Sequence, residues 1–300
     1  MKTNYHWLPD RIKTSSKNKW QVKEPKDRTD PVDHERFVKT RLNNRGLLIG
    51  ASVRGKNHAH RGLWRDDAFH FDQAGAFTIM AVADGAGSYA LSRVGARIAC
   101  DTSVSFAKNY LDQHGLTALS DISESVKPSV EECLENSVLN AILSLEEEAR
   151  KRQIHANLLS TTLILLLHAR TGQNHLIASL QVGDGAAALR RSSGEIVMLG
   201  KPDHGEYAGQ SLFLTSPGIK EEIGSRVSRV TIEDLKCLAT MTDGIADDYF
   251  PLEKALKIFF DQAERSILKR FRPLRKLKKW IQYEKVGSYD DRTLLLLSFR

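Results

Sequence analysis

Three times in this chain an apolar run of strand character ends in Asp-Gly: IMAVADG at Asp84, ASLQVGDG at Asp184 and LATMTDG at Asp243. Two further pairs of carboxylates border strand-like segments. Asp66 and Asp67 precede AFHF, and Asp290 and Asp291 precede TLLLLSF. A single Asp-Gly after a strand is an ordinary turn, because both residues suit tight turns. Several at the ends of packed strands are harder to dismiss. Bare carboxylates brought together repel one another and shift towards their protonated forms. Divalent cations resolve that conflict, and oxygen-only ligands suit magnesium or manganese better than zinc. A glycine after each aspartate leaves the backbone free to approach closely and its carbonyl free to bind.

The rest of the pattern places these ends on sheets. GLLIGASV, GAFTIMAVADG, TTLILLLHA, HLIASLQVGDG, AAALRR, EIVMLG, SLFLTS, CLATMTDG and TLLLLSF read as strands, several joined by hairpin-like turns. Helices are expected from Tyr89 to about Tyr110, from about Pro128 to Arg152, and once or twice between Pro251 and Tyr283. In the second, Val130, Leu134, Val138, Ile142, Leu145 and Ala149 recur at helical spacing. Strands outnumber helices and do not alternate regularly with them. That points to an α+β fold of packed, mainly antiparallel sheets covered by helices.

The charge is unevenly spread. The chain carries 44 Lys+Arg against 37 Asp+Glu, a formal net of +7. Residues 1–45 alone are net +6 and residues 269–280 (KRFRPLRKLKKW) net +7, so the middle of the chain is acidic. We read 1–45 as a basic N-terminal extension and 46–300 as one domain. In 269–280, Leu274 and Leu277, with the following Ile281, share a helical side suited to burial, with the lysines in water. Through either basic segment a nucleic acid or another anionic surface is a conceivable partner. Three scattered cysteines form no disulfide or zinc pattern, and no apolar stretch is long enough to span a bilayer. The expectation is a cytoplasmic protein and a monomer.

A pair of cations in such a cleft could activate a bridging water and neutralise a phosphoryl group under in-line attack. The residues therefore suggest metal-assisted hydrolysis of a phosphate ester. DGAGSYA (84–90) also fits the dinucleotide-binding pattern GxGxxA. That alternative suffers from Asp84, whose charge would lie beside a pyrophosphate, and from downstream strands that read as antiparallel.

In order and spacing, RDDAF (65–69), AVADGAGS (81–88), STTL (160–163), VGDG (182–185), GEYAGQSLFLTS (205–216), MTDGIAD (241–247) and YDDRTLLLL (289–297) resemble the type 2C metal-dependent protein Ser/Thr phosphatases, especially their compact bacterial branch. The resemblance runs from about Gly46 to Arg300. It implies an αββα sandwich with two Mg²⁺ or Mn²⁺ ions in a cleft at one edge, and a third ion in some members. Carried over, Asp84 bridges both ions, the Gly85 carbonyl joins the second, and Asp243 and Asp290 complete the first. Asp66 takes the place of the second ion's acidic ligand, Asp67 holds water, and Asp184 matches a third-ion ligand. The implied activity is hydrolysis of phosphoserine or phosphothreonine in a phosphorylated protein, opposing a Ser/Thr kinase. A metal-bridging water would attack directly.

Two positions depart from the pattern. Ala86 stands where many members have His after the first Asp-Gly, so the general acid passes to His58, His60 or water. The phosphate-binding arginine is out of register, which leaves Arg54, Arg61 and Arg65 as candidates. His58 and His60, read on an extended segment, would form a same-side polar pair. Asp291 reads as a cap or turn residue, and Thr161 and Thr162 as ordinary strand residues. A catalytically weak module that binds phosphorylated partners remains the alternative class. A nucleic-acid-associated protein built on the same fold is the third reading.

Overall fold

The computed structural model describes residues 20–43, 45–118, 126–203 and 212–299. Residues 1–19 of the expected 1–45 extension and residues 205–211 of the motif piece 205–216 therefore lie outside the described residues.

Eleven strands among the described residues form two antiparallel sheets. One sheet contains β1 (Glu35–Arg41), β2 (Leu47–Val53), β7 (Ala186–Arg191), β8 (Ile196–Met198), β10 (Leu235–Met241) and β11 (Arg292–Ser298), in the order β1-β2-β11-β10-β7-β8. The other contains β3 (Ala68–Ala74), β4 (Phe77–Ala83), β5 (Leu163–Thr171), β6 (Asn174–Val182) and β9 (Val227–Ile232), in the order β3-β4-β5-β6-β9. The long helices α2 (Ser92–Gln113) and α3 (Val126–Arg152) cover the five-stranded sheet. On the other side α6 (Leu252–Ala263) and α7 (Pro273–Trp280) cover the six-stranded one. Short helices α1 (Lys56–Arg61), α4 (Ile219–Glu222) and α5 (Asp243–Ala246) sit in connections.

Three apolar layers hold this αββα stack together, as the strand-rich sequence leads one to expect. Leu48, Phe69, Met80, Leu166, Leu189, Leu238, Leu295 and Leu297 fill the space between the sheets. Because the central strands β2, β4, β5 and β11 bury both faces, alternate residues serve the outer layers. Val94, Val104, Leu134 and Leu145 lie beneath α2 and α3; Leu256, Phe259, Leu277 and Ile281 lie beneath α6 and α7. The apolar side expected for 269–280 is thus committed to the core at Leu277 and Ile281, with Leu274 half-buried.

Two segments differ from the sequence reading. Part of the expected extension is a sheet strand: β1 pairs along its whole length with β2, from Glu35 opposite Val53 to Arg41 opposite Leu47. With few apolar residues, ERFVKTR gives little hydrophobic signal, and as an edge strand it gains from charge that blocks further pairing. Residues 20–34 are also tied down, by Arg93 to Asp27 at 2.8 Å and Arg152 to Asp30 at 2.6 Å. In SLFLTS, the described residues 212–216 form no strand. Leu214 is buried and its amide donates to the Thr161 carbonyl, while Ser216, Pro217 and Gly218 turn the chain into α4. No helix among the described residues is long and apolar enough to cross a membrane.

Candidate metal centre

All five acidic motifs lie at one edge of the sandwich because each is attached to the same end of a strand. Asp66 and Asp67 lead into β3, Asp84 leaves β4, and Asp184 lies on the passage from β6 to β7. Asp243 leaves β10, and Asp290 and Asp291 lead into β11. The two sheets thus deliver carboxylates from opposite sides of one cleft.

The glycines explain why the pairs are Asp-Gly. A methyl group on Gly244 would collide with the Asp291 carbonyl, and one on Gly185 would lie 2.6 Å from the Met241 carbonyl oxygen. These are backbone atoms, so neither contact can be relieved by a side-chain rotation. The motif therefore marks backbone crossings between neighbouring loops as well as turns. Gly244→Ala is expected to cost about 3 kcal/mol or more of stability and to displace Asp243 and Asp290. Thermal denaturation and metal titration of the variant check both effects.

Electrostatics at this edge are dominated by burial and mutual repulsion. Burial pushes the Asp84 carboxyl well above its usual range, and Asp243, Asp67 and Asp290 push it further. Asp243 is raised for the same reasons, by burial and then by Asp184 and Asp290. Burial raises Asp290 as well, with Asp291 adding to it. Burial also lifts Asp66, to about 7. Asp67 is raised by burial and by the charge of Asp291. One Asp67 oxygen accepts from the Thr242 hydroxyl at 2.8 Å; the other, Oδ1, is buried without a donor among the described residues. A buried, donor-less carboxylate oxygen among raised carboxyls matches a divalent, oxygen-seeking cation.

Asp291 has more to do than end a turn. One of its oxygens accepts from the Gly55 amide at 2.6 Å. The other accepts from the Asp66 amide at 2.5 Å and from His58 Nδ1 at 2.9 Å. It thereby fixes α1, the approach to β3 and the start of β11 with one carboxylate. Ligand atoms of His58, Asp290 and Asp291 fall within 4.8 Å of one another. Since the Asp291 oxygens and His58 Nδ1 are already engaged, this trio is a hydrogen-bond hub. The other carboxylates are spread more widely, around a cleft instead of a point.

The His58 and His60 reading changes because the segment is helical. On α1 the two rings diverge: His58 is buried in the cleft, whereas His60 accepts from the Gln21 amide at 3.2 Å and meets the ring of Trp20. Burial alone would depress the His58 imidazole, but Asp291, Asp66 and Asp290 outweigh it and raise it to about 9. Its Nε2 lies 3.7 Å from an Asp66 oxygen, and 3.7 Å from where a methyl on Gly87 would project. The imidazole is therefore adjacent to the loop whose Ala86 replaces the expected histidine.

The arginines separate clearly. Arg54 donates to His34 and to the Leu63 and Lys23 carbonyls, and Arg65 donates to the Asp67 and Ser52 carbonyls. Both are spent on internal acceptors. Arg61 is exposed on the last turn of α1, three residues from His58 and on the same side of the helix.

Several supporting residues carry no sequence signal of their own. Thr161 Oγ1 donates to the Asp84 carbonyl at 2.8 Å, and Thr162 Oγ1 accepts from the Asp84 amide at 2.9 Å. Asp248 accepts from the hydroxyls of Tyr283 and Ser288, and Arg292 grips the Ile281 and Tyr283 carbonyls; together they clamp the loop that presents Asp290.

A family model described as protein phosphatase 2C matches residues 54–282. No curated protein matches the sequence at a significant level. Among solved structures, a phosphatase from a pathogenic strain of Toxoplasma gondii shares 13% identity at a TM-score of 0.59, covering 89% of this chain and 96% of that one. The serine/threonine phosphatase Stp1 of Staphylococcus aureus shares 15% at 0.50, covering 93% and 98%. The Mycobacterium tuberculosis serine/threonine phosphatase PstP/Ppp shares 14% at 0.50, covering 89% and 99%. At such identities these likenesses speak for the fold alone, and the family match, which spans most of the chain, carries the assignment. The chain belongs to the protein phosphatase 2C family of metal-dependent protein phosphatases.

Proposed function

We propose that this protein hydrolyses phosphoserine or phosphothreonine in protein substrates, using Mg²⁺ or Mn²⁺ held by Asp84, Asp243 and Asp290, with Asp66, the Gly85 carbonyl and Asp184 as further ligands. The observation that carries the proposal is the buried, donor-less Asp67 oxygen at the meeting point of acidic strand ends from both sheets. When bound, a pair of such cations supplies charge neutralisation for the phosphoryl group and water activated near neutral pH. The residues of the chain do the rest. Thr161, Thr162 and Thr242 hold Asp84 and Asp67 in place. Asp291 orients His58 so that Nε2 faces the cleft, where it can deliver a proton to the departing serine or threonine oxygen. Arg61, which has no internal acceptor among the described residues, would bind phosphate oxygens as a planar fork.

Hydrolysis of an aryl phosphate and of a phosphothreonine peptide, with Mn²⁺, with Mg²⁺ and with EDTA, tests the reading. Activity that persists in EDTA overturns the metal requirement, and inactivity with every divalent ion favours a phosphoprotein-binding module. His58→Asn separates the proton-donor role from a structural one. An alkoxide needs protonation more than an aryloxide does, so loss on the phosphothreonine peptide should be about 10²-fold and loss on the aryl phosphate much smaller. Equal losses on both substrates would remove His58 from proton delivery.

A further inference from the structure

The basic run 269–280 plays no part in the cleft. Its start lies at the opposite end of the six-stranded sheet, and α7 then runs back along the sheet towards the Arg292 end of β11. Lys236 and Lys269 both pair with Glu264, at 2.8 and 2.7 Å, and Lys236 belongs to the β10 end remote from Asp243. A seven-residue strand separates those ends by about 20 Å. On α7, Arg275, Lys276 and Lys279 are exposed, with Lys279 three and four residues beyond the other two, and the exposed Arg272 stands just before the helix. They therefore form one cationic ridge. Arg275, Lys276 and Lys279 have no carboxylate partner among the described residues. Immediately before the ridge, Phe271 is 85% exposed, between Arg270 and Arg272, with the Arg272 guanidinium 5.3 Å from its ring centroid.

We propose that this face docks on an anionic lipid bilayer. The apolar side of α7 is already buried, so the helix cannot sink into the membrane as a whole. What it offers is a convex row of cations with one apolar ring at its end. A flat, negatively charged surface that admits one aromatic side chain at headgroup depth complements that shape. A polybasic patch is attracted to anionic headgroups by about 1 kcal/mol per cation, and an inserted aromatic ring adds apolar burial at the interface. The inference does not depend on the phosphatase reading.

Flotation of the full chain with vesicles of phosphatidylcholine alone, or with about a third phosphatidylserine, tests it. The protein should float with the anionic vesicles only, and less as salt rises. Arg275→Gln, Lys276→Gln and Lys279→Gln combined should weaken binding about a hundredfold, roughly fivefold per charge. Phe271→Ser should weaken it further at a salt concentration where the ridge is screened. Unchanged thermal unfolding of the variants shows that the fold is intact; if they do not fold, the comparison of neutral with anionic vesicles decides alone. Equal binding to both vesicle types, no binding to either, a triple variant that binds as well as the parent, or tighter retention by a single-stranded oligonucleotide or polyglutamate would each overturn the proposal.

Discussion

Asp84→Asn and Asp243→Asn should each lose about 10³-fold or more of divalent-cation-dependent hydrolysis and yet stabilise the protein in EDTA. The two effects have one cause. Both carboxyls are half-buried, and each is raised by its neighbours, because several negative charges share the end of one sandwich. Without cations that concentration of charge works against the fold. An amide of the same shape removes one charge and one source of repulsion, a gain of about 1–3 kcal/mol, or a few degrees in melting temperature for a chain of this size. With cations the balance reverses, since an amide oxygen is a weaker ligand than a carboxylate and cannot neutralise the ion. A thousandfold loss corresponds to about 4 kcal/mol of transition-state stabilisation. Calorimetry in EDTA and steady-state hydrolysis in Mn²⁺ measure the two halves. A variant that is less stable without metal would contradict the electrostatic account even if activity disappeared.

In EDTA, thermal stability should fall as pH rises from about 5 to about 9, and Mn²⁺ should restore progressively more of it. The Asp66 carboxyl is raised from 3.8 to about 7, so its contribution is fully present below the unfolded value and is lost as pH climbs through 7. That change is worth up to about 4 kcal/mol. Asp84 and Asp243, raised by the same burial and repulsion, add to the decline. His58 acts in the same direction, because its favourable term is lost as pH rises through about 9. Below about pH 4 the trend reverses: the Arg152 side chain holds the Asp30 carboxyl below its usual range, and protonation there removes a stabilising pair. Cations compete with protons for the cleft, so the metal-induced rise in melting temperature should be small at pH 5 and large at pH 8. Melting curves across that range, with and without Mn²⁺, provide the check. A flat profile in EDTA would mean that the carboxylates are already screened by something other than metal.

How much of this was legible in the sequence depended on burial. Central strands such as β4, β5 and β11 announce themselves because both of their faces are buried. Three strands whose pattern is weak, β1, β3 and β9, all lie at sheet edges. There, half the contacts are with solvent and the backbone ladder contributes what side chains do not. The carboxylates were readable because chemistry and strand ends coincide in Asp-Gly. The residues that hold them were not. The reach of Asp291 to Gly55 and Asp66 spans more than two hundred residues, and nothing local in YDDRT announces it. His58 was misjudged for a simpler reason: two histidines one residue apart share a side on a strand but diverge on a helix, and GKNHAHRG folds as the latter.

Asp67 belongs to one sheet and Thr242 to the other, and the hydrogen bond between them lies beside the acidic cleft. The passage bearing Asp184 likewise joins the two layers there. Cations bound at this edge would therefore rivet one layer to the other. A breathing motion that parted the layers would break up the ligand set before it unzipped either hydrogen-bonded ladder. Metal residence time and the opening rate of the sandwich would then be two readings of one motion.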